Sequence, residues 1–273
     1  MVTIDSLAGL LNASQPVLGL DAYGVLYNDR GLFDTIPDVF RYCNDHQIPI
    51  YMVTNNSTQS IPEISRKMSM LGVSLPEDRI ISSGCGCYLL PELASKLAKQ
   101  PVYVYGYPAC RYYVEQAQGT VVEDPNDANV IVFAASQSTN NHLMYRAVHD
   151  ALKLRPDMPV ICINPDHYVR NAAGFMRVMG YYAHQMQLQL GRDDWIWMGK
   201  PFSIFSDLVR QVLIRDGHDP SQLIFCDDNP LNVRQLSHDL NCRGVVITKT
   251  GIFDRYSSNL PSDLVQMPVC KIN

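Results

Sequence analysis

The chain of 273 residues carries a net charge of −5, and its 47% hydrophobic content supports one large domain or two modest ones. Without long runs of like charge it has no electrostatic reason to bind nucleic acid or an anionic membrane, so a small molecule or another protein is the expected partner. The first 25 residues hold no basic segment followed by an apolar run, and no stretch approaches membrane-spanning length, which predicts a soluble, cytoplasmic protein.

In chain order, eight short runs rich in β-branched residues predict strands: PVLGL (16–20), IPIYMV (48–53), RIISS (79–83), PVYVY (101–105), NVIVFA (129–134), PVICI (159–163), LIFC (223–226) and GVVIT (244–248). Helical periodicity fills the stretches between them. In SIPEISRKMSMLG, Ser60 and Glu63 stand at capping-box spacing, and in FSIFSDLVRQVLIRDG the residues Ile204, Leu208 and Leu213 form an apolar stripe ended by Gly217. The alternation predicts an α/β fold with a largely parallel sheet, and no repeat or low-complexity segment interrupts it. The eight cysteines, at 43, 85, 87, 110, 162, 226, 242 and 270, form no CxxC pair. They read as reduced, mostly buried thiols, and Cys85 with Cys87 lacks the second pair that a zinc site needs.

Three polar clusters follow predicted strands directly: DAYG after VLGL, TNNS after IYMV and DDNP after LIFC. Carboxyl ends of parallel strands share one sheet edge, where open α/β folds bind their ligands, so these segments can meet in one site. A fourth cluster, MGKP (198–201), precedes the helix leading into LIFCDD and brings Lys200 toward the same edge. Asp21, with Gly24 behind it, suits a nucleophile or metal ligand projecting from a tight turn, although an Asx-turn aspartate reads the same way. Thr54, Asn55, Asn56 and Ser57 offer hydroxyls, amides and backbone N–H groups before a helix, the chemistry that holds a phosphate. Lys200, between Gly199 and Pro201, can offset the charge of Asp21 and an incoming phosphate. Asp227 and Asp228 can join Asp21 around Mg²⁺ through hard oxygen donors, while Asn229 before Pro230 has the form of an N-cap.

These four clusters, in this order, resemble the haloacid dehalogenase (HAD) hydrolase superfamily. VTNNST (53–58), CINPD (162–166) and GKP (199–201) are similar to the IIA branch, which contains NagD-like, pyridoxal-phosphate and phosphoglycolate phosphatases, and the resemblance runs from about residue 16 to 250. It implies a Rossmann-like core, residues 1–96 and 193–273, interrupted by a C2-type α/β cap over 97–192. It further implies Asp21 as nucleophile, Thr54 as the phosphate-binding hydroxyl with Asn55 and Asn56 beside it, Lys200 as charge clamp, and Asp227 as Mg²⁺ ligand. The main-chain carbonyl of Tyr23 would face the same metal. The cap loop CINPDHYV would carry Asn164, Asp166 and His167 over the substrate, with a plain turn role for Asp166 as the alternative. The implied activity is Mg²⁺-dependent hydrolysis of a small phosphorylated metabolite, with a homodimer through the caps as the expected assembly.

Tyr23 departs from that pattern. The family's phosphatases carry DxD, whose second acid protonates the leaving alcohol and later activates water. A tyrosine of pKa about 10 is a poor base at neutral pH, so part of an acid–base contribution of roughly 10²–10⁴-fold is lost. Cys226 also replaces a usual glycine, and Asn232 stands where a second acid is common. Two other readings follow: a catalytically impaired phosphometabolite-binding protein, or a 2-haloacid dehalogenase-type hydrolase, whose opening DxYG motif is similar and whose leaving halide needs no proton. The cap-sized insertion, GKP and Asp227 favour the phosphatase.

Overall fold

The computed structural model describes residues 11, 15–136, 141–171, 174–248 and 250–251. Two five-stranded parallel sheets organise the chain. The first is built from β1 (Val17–Leu20), β4 (Ile50–Thr54), β5 (Ile80–Ser82), β13 (Leu223–Asp227) and β14 (Arg243–Val246), in the order β14-β13-β1-β4-β5. The second holds β6 (Pro101–Tyr105), β7 (Thr120–Val122), β8 (Val130–Phe133), β9 (Val160–Cys162) and β12 (Ile196–Trp197), in the order β12-β9-β8-β6-β7. Two small antiparallel hairpins complete the set: β2 (Tyr27–Asn28) with β3 (Gly31–Leu32), and β10 (Tyr168–Asn171) with β11 (Gly174–Arg177).

Each of the eight predicted strands is present: seven are buried along all or nearly all of their length, which leaves continuous apolar runs, and β14, exposed to half-buried, is legible through its valines. β7, β12 and the two hairpins were not predicted; they are two to four residues long and lack such runs. β12 pairs in parallel with β9, so the second sheet continues past the boundary expected at residue 192. Local chemistry sets the helix ends as anticipated. Ser60 Oγ accepts from Glu63 N while Glu63 Oε2 accepts from Ser60 N, opening helix Ile61–Met70, and Asn229 caps helix Pro230–Leu240 by accepting from Leu231 N. Helix Ser203–Arg215 buries Phe205, Leu208, Val209 and Leu213, with Ile204 only half-buried. The seven described cysteines are free thiols, and Cys270 lies outside the described residues. Among the described residues no helix is long and apolar enough to cross a membrane.

The period of two along β6, β8 and β9 divides the second sheet between two cores. Tyr103, Tyr105, Ile131, Phe133, Val160 and Cys162 pack with helices Asn141–Leu154 and Met179–Leu190, whereas Val102, Val104, Val130, Val132 and Ile161 join the core of the first sheet. Polar bonds tie the two sheets at the edge where the site forms. Ser57 Oγ donates to Ala134 O (2.8 Å), Ser83 Oγ donates to Ile163 O, and the buried Tyr113 hydroxyl donates to Gln59 O (2.6 Å). Ser57, grouped at first with the anion-binding residues, is thus a tie between the sheets.

Gly84 packs against the Tyr113 ring so closely that an added Cβ would lie 2.6 Å from it. Since Tyr113 is fully buried and cannot swing aside, Gly84→Ala is expected to destabilise the protein by about 1–3 kcal/mol, the usual cost of overpacking. Urea unfolding of wild type and variant measures it.

Candidate functional site

Three adjacent strand ends, those of β13, β1 and β4, meet the loop that leaves β12, and Lys200 of that loop joins them. Its Nζ donates to Asp21 Oδ1 (2.6 Å), Asp227 Oδ2 (2.6 Å) and Val53 O (2.8 Å), which uses all three donors of the ammonium. Lys200 is 2% exposed. Its neighbour Gly199 has φ +145°, and a Cβ there would sit 2.5 Å from Pro165 Cδ and 2.8 Å from Asn55 Oδ1, so only glycine lets the loop approach. Asn55 fixes that approach: Oδ1 accepts from Lys200 N (2.7 Å), while Nδ2 donates to Lys200 O (2.9 Å) and to Asp166 Oδ1 (2.8 Å). The Asn55 amide is therefore a strut between β4 and the Asn164–Asp166 loop, not a free phosphate donor.

Around Lys200 the carboxylates outnumber the cation. Oxygens of Asp21, Asp227 and Asp228 lie within 4.8 Å of one another, and Asp21 and Asp227 share a single ammonium. Burial pushes the Asp21 pKa up to about 7, with Lys200 opposing and Asp227 adding to the shift. Burial also works against the charge on Lys200, but the two carboxylates outweigh it and hold its pKa above the ordinary lysine value. Asp227 is further held by Asn229 N (2.8 Å) and Asn232 Nδ2 (3.2 Å). Asn232 Oδ1 is buried without a hydrogen-bond partner among the described residues, in position to accept from a bound water. Surplus negative charge, clustered oxygen donors and an unused acceptor together fit a hard divalent cation such as Mg²⁺.

A cavity of about 340 Å³ opens between the two sheets, with Asp21, Thr54, Asn56, Asn164, Asp166 and Lys200 in its wall. Thr54 Oγ1 accepts from Asn56 N (3.1 Å), which leaves its proton without a protein acceptor among the described residues. Asn56 Oδ1 is engaged by Thr58 N (3.0 Å) and Thr58 Oγ1 (2.7 Å). Asn164 is buried, and its Oδ1 has no partner among the described residues. Burial pushes the Asp166 pKa up to about 6 against the opposing Asn55 bond and Lys200 charge. His167, expected over the substrate, stacks instead on His184 (5.3 Å between centroids) and lies edge-on to Tyr181, outside the cavity wall.

Tyr23 lines the same cavity, in a turn that Gly24 (φ +88°) makes possible. Its ring stands edge-on to Tyr27, centroids 6.2 Å apart, and its hydroxyl is hydrogen-bonded to Asp29. Burial, and then that bond, raise its pKa above the ordinary tyrosine value, so it stays protonated at neutral pH. Lys67 and Arg170 also line the cavity and were not singled out from the sequence, where a helical lysine and a hairpin arginine carry no motif.

Residues 18–120 match the profile of a family described as haloacid dehalogenase-like hydrolase. An acid sugar phosphatase of Staphylococcus haemolyticus is 24% identical over 200 residues, 73% of each chain, and a 5'-nucleotidase of Bacillus subtilis is 22% identical over 210 residues, 77% of this chain and 78% of that one. Among solved structures, a p-nitrophenyl phosphatase from Archaeoglobus fulgidus superposes with a TM-score of 0.75 at 18% identity, covering 87% of this chain and 88% of that one. A glycerol phosphate phosphatase of Mycobacterium tuberculosis, solved with magnesium, gives 0.73 at 16% identity over 87% of this chain and 69% of that one.

Removing the ammonium while keeping its bulk isolates its electrostatic part. Lys200→Met leaves buried carboxylates facing one another, and the expected loss is about 3–5 kcal/mol in metal-free buffer. Added Mg²⁺ should recover part of that loss, as read by urea midpoints with and without the ion.

Proposed function

We propose, from the premise that the chain belongs to the haloacid dehalogenase superfamily in its NagD-like branch, that it is a hydrolase of small phosphomonoesters acting through Asp21. The carrying observation is the Asp21 carboxylate, fixed by Lys200 at a strand end and open to a cavity that also holds the unspent proton of Thr54. In the proposed reaction an Asp21 oxygen bonds to phosphorus as the bond to the alcohol oxygen breaks, giving an aspartyl-phosphate. Water then attacks that phosphorus, releasing inorganic phosphate and restoring the carboxylate. Thr54 donates to a phosphoryl oxygen. Lys200 favours the ionised form of Asp21 against burial and the charge of Asp227, and Asn55 holds Lys200 in place. Asp21, Asp227 and the Tyr23 main-chain carbonyl, with Asp228 close by, would hold Mg²⁺, whose charge neutralises that of the phosphoryl group.

The departing alkoxide must gain a proton, and the Tyr23 hydroxyl is tied to Asp29. Protonation is left to water, which costs little for a phenolate and much for an alkoxide. The same tie favours the second reading, a phosphate-ester binding protein with little turnover. The three clustered carboxylates favour phosphoryl chemistry over halide displacement, which has no use for them.

Phosphate release from a panel of phosphomonoesters, with Mg²⁺ and with EDTA, tests the proposal. Wild type should release phosphate only with Mg²⁺, and Asp21→Asn should not; equal inactivity of both on every compound would leave the binding reading in place. The tyrosine gives a second test. Rates should fall steeply from 4-nitrophenyl phosphate to alkyl phosphates, and Tyr23→Phe should stay within about threefold of wild type, since its hydroxyl serves Asp29. Tyr23→Asp should raise alkyl phosphate turnover by about tenfold or more by restoring a carboxyl donor and base. A folded, Mg²⁺-binding Tyr23→Asp protein that is slower than wild type would refute the missing-acid account.

A further inference from the structure

Away from the carboxylates, the cavity wall carries two cations: Arg170 on β10 and Lys67 on helix Ile61–Met70. The Arg170 guanidinium donates to Gly251 O (3.1 Å). Lys67 is placed differently. It is half-buried, with Nζ 3.8 Å from the centroid of the Tyr27 ring, and no hydrogen-bond acceptor reaches it among the described residues. Burial pulls its pKa below the ordinary lysine value, only partly countered by the charge of Asp29, and that carboxylate already takes the Tyr23 hydroxyl. A cation over an aromatic face regains part of its lost hydration, while its hydrogen-bonding capacity stays unused.

Tyr27 sets the distance from this ammonium to the reaction centre. The ring that carries Lys67 on its face ends in a hydroxyl bonded to the Asn56 side chain and raised in pKa by burial and then by the charge of Asp21. Lys67 therefore stands about one aromatic ring from the phosphate end of the cavity. Val169, Met176 and Met179 supply an apolar wall for the carbon atoms between, and about 340 Å³ limits the ligand to metabolite size.

Resting on the phosphohydrolase reading, we propose that Lys67 selects phosphomonoesters whose alcohol carries a second anionic group, a carboxylate or another phosphate, a few carbons from the ester. The incoming anion supplies the acceptor that Lys67 lacks, in a cavity where a charge-assisted bond is worth more than in water. A neutral sugar or polyol phosphate leaves the ammonium as it stands.

Two substrate pairs test this, each differing by the second anion: 3-phosphoglycerate against glycerol 3-phosphate, and fructose 1,6-bisphosphate against fructose 6-phosphate. Wild type should favour the anionic member of at least one pair by about tenfold in kcat/KM, and the responding pair tells carboxylate from phosphate. Lys67→Met should erase that ratio through KM, and Lys67→Arg should keep most of it. A wild-type ratio near one in both pairs, or a ratio that Lys67→Met leaves intact, overturns the proposal. If wild type releases no phosphate from any compound, the hydrolase reading fails by itself. Equilibrium binding of the same pairs then decides on Lys67: tighter binding of the anionic member that Lys67→Met abolishes supports the selection, and equal affinities overturn it.

Discussion

One buried ammonium governs the architecture of the site. Taking Lys200 out of water costs several kcal/mol unless each of its donors meets an acceptor, and the three acceptors come from three adjacent strands. That requirement fixes the register. Leu20 lies opposite both Cys226 and Met52, so Asp21, Asp227 and Val53 reach the sheet edge at one level. A slip of one residue in β1 would turn Asp21 toward the opposite face and strand the ammonium beside a single carboxylate. Register in the buried sheet is thus a condition of the chemistry as well as of packing.

The same residue makes the site depend on both sheets. Lys200 reaches the first sheet at the end of a loop from β12 in the second, and Asn55 clasps that loop and Asp166 together. The bonds from Ser57 and Ser83 hold the ends of β8 and β9 against the β4 and β5 edge. The cavity walls are therefore set by direct polar contacts close to the reacting groups.

Legibility in the sequence followed burial and turn chemistry. Strands buried on both faces were readable as apolar runs, and Asp21, Thr54, Lys200 and Asp227 were readable because each follows a strand or sits in a glycine- or proline-marked turn. Direction was not. Asn55 has the composition of an anion ligand, but its amide faces the Lys200 backbone; His167 lies in a loop that reaches the cavity, yet its ring turns toward His184. Lys67 falls at the flank of a helix face that carries the buried Ile61, Ile64 and Met68, where the periodic pattern marks a lysine as an ordinary boundary position. Only the packing of Tyr27 beneath it makes it part of a cavity wall. β7 and β12 are too short to announce themselves and exist because longer neighbours offer an edge.

Tyr23 connects the charge balance to recognition. A second acid at this position would add another negative charge to a cluster in which Asp21 and Asp227 already share one lysine, and the tyrosine spares the site that repulsion. Its hydroxyl binds Asp29 instead, and in doing so occupies the carboxylate whose field reaches Lys67. Had Asp29 been unengaged, it would be the natural partner to draw the lysine out of the cavity wall. With Tyr23 on that carboxylate, the ammonium rests on the Tyr27 ring, and no acceptor reaches it among the described residues. On the proposed reading, the side chain whose hydroxyl is withheld from proton transfer at one end of the cavity also engages the carboxylate nearest in field to Lys67 at the other, so the acid–base deficit and the anion selectivity would share one physical origin.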